Sequence, residues 1–178
     1  MVRYEKTGKL VMGALFMCMI VVLTMLIKIP VPMTQGYVHL GDAVIFLAVL
    51  VLGWKYGAVC AGVGSAMADM FCGMVMWAPW TLVIKYIMAA VMGLILEKGG
   101  ESISKGREIV AMTIAGSWMA FGYFVAERVV YGNWAVALLG VPWNIGQFAT
   151  GIIIAGALSI YLCRTSARKT FRYRLASN

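Results

Sequence analysis

Polar side chains that could do chemistry gather at the ends of long apolar stretches in this sequence. The densest group is Gly36-Tyr37-Val38-His39-Leu40-Gly41-Asp42, which follows an apolar stretch ending at Ile29 and contains the chain's single histidine. Hydrocarbon cannot hydrogen-bond to such groups, so a polar segment at a membrane face must either meet water or bind a polar molecule. The sequence therefore predicts a hydrated site or a binding site here.

Ionisable residues inside or near the apolar stretches form a second group. Lys85 is the most informative, because it lies about five residues, or roughly 7–8 Å, into its predicted helix. An ionised group at the centre of a membrane helix costs about 2.5–3.5 kcal/mol, so Lys85 needs a partner, which Asp42 or Asp69 could supply. Glu127 and Arg128 are adjacent and can be interpreted as an interfacial ion pair.

Aromatic and amide side chains close to these charges suit a flat, polar ring. Trp77 and Trp80 flank Pro79 just above Lys85, and Trp143, Asn144 and Gln147 form an i, i+1, i+4 group at the start of the last apolar stretch. Aromatic faces can stack on a heteroaromatic ligand, while the amides hydrogen-bond to its edge. Anchoring at the membrane interface is the alternative for Trp80 and Trp143.

His39 is either a ligand contact or a helix-capping residue, and Asp42 either binds a ligand or caps the following helix. One histidine without a suitably spaced partner does not predict a metal site. The four cysteines lie singly, with no CxxC pair, so neither a disulfide framework nor a zinc site is predicted. No HExxH, GxSxG or Walker A pattern occurs, so the sequence predicts no enzyme and no cofactor, and ATP hydrolysis would need another subunit.

The composition is that of a membrane protein. Of 178 residues, 62% are hydrophobic and 12% are charged, whereas a soluble domain is nearer half apolar and a quarter charged. At roughly 20 residues per crossing, the chain has room for about six helices in one domain over residues 1–178. We predict an all-α integral membrane protein with helices at about 10–29, 43–52, 58–71, 80–96, 109–130 and 144–162.

Several residues are expected to end or position these helices. Pro30 and Pro32 stop the first helix, and residues 53–57 form a tight turn before the third. Residues 131–143 are predicted to be a mixed loop. Small residues three and four apart on the third helix form a stripe that lets another helix approach closely: Ala61, Gly64, Ser65 and Ala68.

The net charge of +8 follows the positive-inside rule and does not indicate nucleic-acid binding. With six crossings, both termini share a side of the membrane, and twelve of the fifteen Lys and Arg residues fall on that side. This bias predicts that both termini are cytoplasmic. The polar loops 36–42, 73–79 and 131–143 then face outward. The twelve basic residues are Arg3, Lys6, Lys9, Lys55, Lys98, Lys105, Arg107, Arg164, Arg168, Lys169, Arg172 and Arg174.

An ordered series of motifs resembles a known family, the substrate-binding S components of energy-coupling factor (ECF) vitamin transporters. The resemblance is strongest over residues 28–85 and extends more loosely over the whole chain. The motifs are Lys28-Ile29-Pro30-Val31-Pro32, Tyr37-Val38-His39-Leu40-Gly41-Asp42-Ala43, Gly53-Trp54-Lys55-Tyr56-Gly57, Gly64-Ser65-Ala66-Met67-Ala68-Asp69, and Trp77-Ala78-Pro79 through Ile84-Lys85.

The resemblance implies six helices in a prokaryotic cell membrane and an outward-facing vitamin pocket formed by helices 4 to 6 and the first loop. It also implies partnership with a transmembrane coupling protein and two ATPases, and toppling of the S component to deliver its ligand. In that family, helix 1 docks on the coupling protein through an Ala-x-x-x-Ala pattern. Here Ala14 matches the first alanine, and Cys18, also small, replaces the second.

Within that family, the chain most resembles carriers of small pyridine or pyrimidine vitamins and precursors, such as pyridoxine or hydroxymethylpyrimidine, and is also similar to riboflavin-type members. The expected function is high-affinity binding of such a molecule and its ATP-driven import. The expected hydrogen-bonding or charged contacts are His39, Asp69, Lys85, Asn144 and Gln147. The expected stacking walls are Trp80 and Trp143.

Two other functions remain open at the level of sequence. A self-sufficient secondary transporter for a small polar metabolite would use Asp69 or Glu127 as its proton site. A small membrane enzyme or assembly factor acting on lipids is the other, and the missing catalytic motifs count against it. Uptake by this chain alone would favour the first alternative.

Overall fold

A computed structural model of the protein describes residues 2–30, 37–100 and 102–176. These residues form six α-helices, the number that the sequence predicts, and two small two-stranded ribbons that it does not. The helices are α1 (Val2–Leu26), α2 (Gly41–Leu52), α3 (Trp54–Phe71), α4 (Ala78–Glu97), α5 (Lys105–Tyr131) and α6 (Trp134–Cys163). The strands are β1 (Lys28–Pro30), β2 (Tyr37–His39), β3 (Ser102–Ile103) and β4 (Arg174–Leu175), and a short 3₁₀ helix covers Ser166–Thr170.

Four helices in the described part of the chain are long and apolar enough to cross a membrane: α1 from Lys6, α4, α5 and α6. Helix α2 is apolar but has only 12 residues. All 12 are buried, and they pack against α1, α3, α4 and α6. An apolar helix without a polar face is typical of a fully enclosed position, so α2 is the centre around which the longer helices pack.

Helix α1 ends at Leu26, three residues before the predicted end at Ile29. Lys28, Ile29 and Pro30 form β1, which pairs antiparallel with β2, Lys28 lying opposite His39. A residue that precedes proline disfavours the helical conformation, which explains why the helix stops before Ile29. Pro32 and Gly36, also singled out in the sequence, lie outside the described residues.

The turn predicted over residues 53–57 consists of Gly53 alone. Gly53 has a positive φ of 83°, a conformation that favours glycine, and α3 begins immediately afterwards at Trp54. The small residues of α3 allow close helix packing: a Cβ at Gly64 would lie 3.3 Å from the side chain of Ile20 on α1. A Cβ at Gly62 would lie 2.8 Å from the carbonyl oxygen of Leu82 on α4. Helix α3 therefore joins α1 to α4.

The prediction of a mixed loop over residues 131–143 is wrong, because α6 begins at Trp134. Gly132, with a φ of 67°, ends α5, and the Asn133 side chain accepts a hydrogen bond of 2.8 Å from the backbone N–H of Ala135. Such a cap satisfies a backbone donor at the start of a helix. The connection is therefore two residues long, and Pro142 lies inside the helix.

The C-terminal segment packs against the end of α2 and does not extend into solvent as a free tail. The backbone N–H groups of Arg172 and Tyr173 donate to the carbonyl oxygens of Val51 and Leu50, each at 3.0 Å. These carbonyls belong to the last turn of α2, where helices lack internal donors. Strand β4 then pairs parallel with β3. The first and last described parts of the chain thus lie at one end of the bundle, together with Gly53.

Candidate functional site

A cavity lies at the opposite end of the bundle from the chain termini. Strand β2 lies over it, and its walls come from the end of α3, the start of α4, the later part of α5 and the early part of α6. The short length of α2 leaves the space that the β1–β2 ribbon covers. The lining residues are Tyr37, Val38, His39, Asp69, Trp77, Thr81, Tyr123, Glu127, Gly140, Asn144 and Gln147.

A buried ion pair lies next to this lining. The Lys85 ammonium group donates to Asp42 Oδ1, and both side chains are fully buried. Lys85 Nζ also lies 2.8 Å from the sulfur of Met119, and Gln147 Nε2 donates to Asp42 Oδ2 at 2.8 Å. Of the two carboxylates that the sequence offers Lys85, the structure therefore pairs it with Asp42. Asp42 is the second residue of α2, whose N-cap is Leu40, and its two carboxylate oxygens are used by Lys85 and Gln147.

Gln147 connects this ion pair to the ribbon. Its Oε1 accepts a hydrogen bond of 3.1 Å from the backbone N–H of His39. The Nδ1 atom of His39 accepts from the backbone N–H of Gly41 at 3.1 Å and lies 3.4 Å from the Thr24 hydroxyl. Since Nδ1 accepts, the neutral ring carries its proton on Nε2. Burial, together with the positive charge of Lys85, lowers the pKa of His39 to about 4, against a smaller opposing effect of Asp42.

The ribbon is also attached to α3. The Tyr37 hydroxyl donates to Asp69 Oδ1 at 2.7 Å, and Lys28 Nζ donates to the sulfur of Cys72 at 3.0 Å. Burial and then the neighbouring Asp69 carboxylate raise the pKa of Tyr37, so its hydroxyl stays protonated and remains a donor. Strand β2 is thereby held to α3 through Tyr37 and to α6 through His39.

Aromatic rings form one wall of the cavity. The Trp77 ring lies 6.4 Å from the Tyr123 ring and 6.0 Å from the Tyr131 ring, both tilted. The Tyr123 hydroxyl donates to the Thr81 hydroxyl at 3.1 Å, and Lys85 Nζ lies 5.6 Å from the centre of the Tyr123 ring. The wall is therefore fixed by ring contacts, one hydrogen bond and a cation–π contact.

Three buried polar atoms of the lining have no hydrogen-bond partner among the described residues: Asp69 Oδ2, Trp77 Nε1 and Glu127 Oε2. Their residues are only 5–6% exposed. A Cβ at Gly140 would collide with the Glu127 carboxylate, so glycine leaves the space in which that carboxylate lies. Each unpartnered buried group costs about 1–3 kcal/mol, and more if charged. A polar molecule in the cavity would remove that cost.

Four of the predicted site residues line the cavity: His39, Asp69, Asn144 and Gln147. Lys85 lies behind the lining, paired with Asp42. Trp80 and Trp143 do not belong to the lining; Trp80 is half-buried and Trp143 is 39% exposed. Trp80 is rotated by about 100° from Thr81 around α4, and Trp143 by about 100° from Asn144 around α6, so each lies at the edge of the cavity-facing side of its helix.

Sequence reasoning missed several residues of the lining. A usable signal was present, because Thr81 and Lys85 are four residues apart and so share one face of α4. Tyr123 and Glu127 have the same spacing on α5. No group of three or more His, Cys, Asp or Glu residues within the described residues could hold a metal ion.

Ala14 and Cys18, the predicted docking residues, lie on α1, away from the cavity. Both are exposed, as are Val11, Leu15 and Val22 on the same helix. Helix α1 is the least enclosed of the four long apolar helices, since only 17% of its most apolar window is buried. An apolar side of α1 is therefore free of contact with the described remainder of the chain.

Comparisons with known proteins identify the family of this chain. A model of the family described as "ECF-type riboflavin transporter, S component" matches residues 5–164. A protein of Pyrococcus woesei, described as an uncharacterized protein in gap 3′ region, is 37% identical over 143 residues, covering 80% of this chain and 93% of its own. The thiamine precursor transporter HmpT of Lactococcus lactis subsp. cremoris (strain MG1363) is 27% identical over 165 residues, covering 92% and 93%. This chain therefore belongs to the family of S components of ECF-type riboflavin transporters.

Proposed function

We propose that this chain binds a water-soluble vitamin or vitamin precursor at the outer face of a prokaryotic cell membrane and delivers it as the S component of an ATP-driven ECF importer. The observation that carries the proposal is the cavity whose lining holds three buried polar atoms without partners. The ligand is pyridoxine-like, hydroxymethylpyrimidine-like or riboflavin. The family supports the last of these, and the relative HmpT supports a thiamine precursor.

In this proposal all six helices cross the membrane and both termini are cytoplasmic. The basic clusters of the sequence support that orientation, because they accompany the chain ends and the 98–107 connection. Helix α2, with 12 residues, is shorter than a full crossing, and the β1–β2 ribbon covers its outer end. The cavity, at the opposite end of the bundle, then opens outward.

The cavity residues have distinct roles in binding. Asp69, Asn144 and Glu127 offer polar groups to the ligand, and Trp77 supplies the stacking wall that the sequence assigned to Trp80 and Trp143. His39 and Gln147 join the ribbon to α6. Lys85 is a positioning residue, because it acts on Gln147 through Asp42.

The exposed side of α1 is the surface that we assign to the coupling protein, with Ala14 and Cys18 at the contact. Small residues let helices approach closely, which favours association inside a membrane, where burial of apolar surface gives no driving force. The ATPases would contact the coupling protein and supply the hydrolysis for which this chain has no motif.

Two measurements test the proposed function together. Native mass spectrometry of the gently purified chain identifies a co-purified molecule, and uptake of that labelled molecule is measured in cells with and without the coupling protein and the two ATPases. We expect a bound vitamin or precursor and uptake that requires the complete module. Uptake by the chain alone would favour the secondary transporter, with Glu127 as its proton site.

A further inference from the structure

A basic groove lies at the end of the bundle opposite the cavity, between the start of α5, the last turns of α6 and the C-terminal segment. Its basic lining residues are Lys105, Arg164 and Arg168, and no aspartate or glutamate among the described residues belongs to the lining. The groove has a volume of about 660 Å³. Binding sites for small molecules usually measure about 300–1,000 Å³. The groove is therefore large enough for the polar part of a ligand, and its charge favours an anion.

The charge of Lys105 is used within the fold. Its Nζ atom donates to Glu108 Oε2 and to the Gly156 carbonyl oxygen, each at 2.9 Å, and to the Ser159 hydroxyl at 3.2 Å. An ammonium group has three donors, and all three are engaged here. The Glu108 carboxylate, which is fully buried, also balances the charge of Lys105. Lys105 therefore forms a wall of the groove and offers no free donor to a ligand.

The two arginines of the groove keep both charge and donors. Arg164 directly follows α6, is exposed, and forms no ion pair with any described residue. Arg168 is half-buried in the 3₁₀ helix and donates from Nη2 to the Leu175 carbonyl oxygen at 3.4 Å. A guanidinium group has five N–H donors, so this bond leaves most of them free. Two guanidinium groups without a carboxylate partner suit a phosphate, whose oxygens match their planar donors.

An exposed apolar strip on α6 leads to these arginines. Ile153 is 71% exposed, Ile160 is 38% exposed, and Ala157 between them is exposed as well. Spacings of four and three residues place all three on the side of α6 that also carries Arg164. Ile160 itself lines the groove, so the strip and the groove are continuous. A molecule that fills both has an anionic head and an apolar chain.

We propose that the basic groove binds an anionic phospholipid, whose phosphate lies between Arg164 and Arg168 and whose acyl chain follows the strip from Ile160 to Ile153. Basic pockets between helices at the cytoplasmic side of a membrane are suited to such headgroups, and the proposed orientation puts the groove on that side. A zwitterionic phospholipid would bring an ammonium group to the two arginines. A soluble phosphate or an acidic protein segment would leave the apolar strip unused. The bound lipid would join α6 to the 3₁₀ helix and so hold the C-terminal segment in place.

The first test titrates lipids into the unaltered chain, purified in detergent, and counts bound lipid by native mass spectrometry. The probes are phosphatidylglycerol and phosphatidylcholine with identical acyl chains, and glycerol phosphate as the soluble headgroup. Each basic residue near an anionic lipid strengthens binding about fivefold. With two arginines, we expect phosphatidylglycerol to bind about 30-fold more tightly than phosphatidylcholine. Glycerol phosphate, which has no acyl chain, should not bind at the same concentrations.

A double variant assigns the preference to the groove. Arg164→Gln/Arg168→Gln should weaken binding of phosphatidylglycerol about 30-fold and leave binding of phosphatidylcholine unchanged. Lys6→Gln/Lys98→Gln is the matched control, because it removes two charges from exposed positions at the same end of the bundle but outside the groove. The control should keep the preference for phosphatidylglycerol. Circular dichroism shows whether each variant retains its helical content.

Four results would overturn the inference, and each leaves the proposed vitamin import intact. Equal affinity for the two lipids, or equal losses in the two double variants, would mean that no specific lipid site exists. Binding of glycerol phosphate as tight as that of phosphatidylglycerol would indicate a site for soluble phosphates. Weaker co-purification of the arginine variant with the coupling protein and the ATPases, with unchanged lipid binding, would make the groove a protein contact.

A single variant keeps the proposal testable if the double variant does not fold. Arg164→Gln changes an exposed side chain that has no ion pair with a described residue, so it should fold normally. It should weaken binding of phosphatidylglycerol about fivefold. An unchanged affinity in this variant would overturn the inference as well.

Discussion

Lys85 and Asp42 form an ion pair between α4 and α2 that is shielded from solvent. Both side chains are fully buried, and Asp42 also accepts a hydrogen bond from Gln147. Removing one partner of such a pair leaves an uncompensated buried charge, which costs about 3–5 kcal/mol. We expect Lys85→Met to lower the free energy of unfolding by about that amount, measured by chemical denaturation in detergent micelles. Ligand affinity should fall as well, because Gln147 loses a fixed partner.

The double variant Lys85→Met/Asp42→Asn is the matched control for that prediction. Asparagine has a side-chain oxygen that can still accept from Gln147, but it carries no charge. If the loss in Lys85→Met comes from the stranded carboxylate, the double variant should recover most of the lost stability. A double variant no more stable than Lys85→Met would attribute the loss to packing around residue 85.

His39 is expected to make stability depend on pH. Its Nδ1 accepts from the Gly41 N–H, and burial followed by the charge of Lys85 lowers its pKa from 6.5 to about 4, with Asp42 opposing. Between these two values the unfolded chain binds a proton that the folded chain does not. Lowering the pH through that window should therefore destabilise the fold by up to about 1.4 kcal/mol per pH unit, and stability should be restored above about pH 6.5.

His39→Gln isolates this contribution, because glutamine does not titrate and can still offer an acceptor. Unfolding free energies of both proteins are measured from pH 7.5 to 4.5, and the difference between the two curves removes the contributions of other groups. We expect the unaltered chain to lose more stability than the variant as the pH falls. Parallel curves would mean that His39 does not titrate in this range.

At the scale of single residues, the sequence predicted a contact correctly where a buried charge without a partner would be too costly. A lysine five residues inside a membrane helix requires a partner, and Asp42 was one of the two carboxylates available. The inward-facing tryptophan could not be chosen in the same way. Trp77 immediately precedes α4, so the turn before the helix and the rings of Tyr123 and Tyr131 determine its direction.

At the scale of elements, the exposed side of α1 leads to a prediction about assembly. Ala14→Trp would place a large ring where a close helix approach is proposed. We expect it to reduce co-purification with the coupling protein at least tenfold while leaving ligand affinity unchanged, measured by pull-down and by isothermal titration. Ala157→Trp places the same ring on an exposed position of α6 and should retain the complex. Equal co-purification of the two variants would exclude Ala14 from the contact.

The positions of helices were predictable where apolar length determines them, but several helix ends were not. The start of α6 depends on the conformation of Gly132 and on the cap that Asn133 provides. In the sequence, this pair of residues looks the same as part of an ordinary polar loop. The β1–β2 ribbon depends on pairing between segments on either side of residues 31–36, a contact that local patterns do not reveal. The 12-residue length of α2 is understandable only once that ribbon is seen.

At the scale of the whole molecule, the packing places both chain ends together and the cavity at the other end of the bundle. Tyr173 is 2% exposed, and its hydroxyl donates to the Gly93 carbonyl at 3.3 Å, so the C-terminal segment is anchored to α4 as well as to α2. Charge counting predicted that the two ends share a side, but it could not predict that the basic segment closes the bundle. That closure depends on contacts between residues far apart in the sequence.

The orientation of the bundle in the membrane gives the last prediction. Val75 lies 62% exposed in the turn between α3 and α4, at the cavity end of the bundle, and Lys98 is exposed just beyond α4 at the opposite end. With the four native cysteines replaced by alanine, Val75→Cys should react with a membrane-impermeant maleimide added to intact cells, because the cavity end is proposed to face outward. Lys98→Cys should react only after the cells are opened, and retained ligand binding shows that each variant is folded. The reverse pattern would place the cavity in the cytoplasm, where it could not capture a vitamin from outside, and the import function would then have to be abandoned along with the orientation.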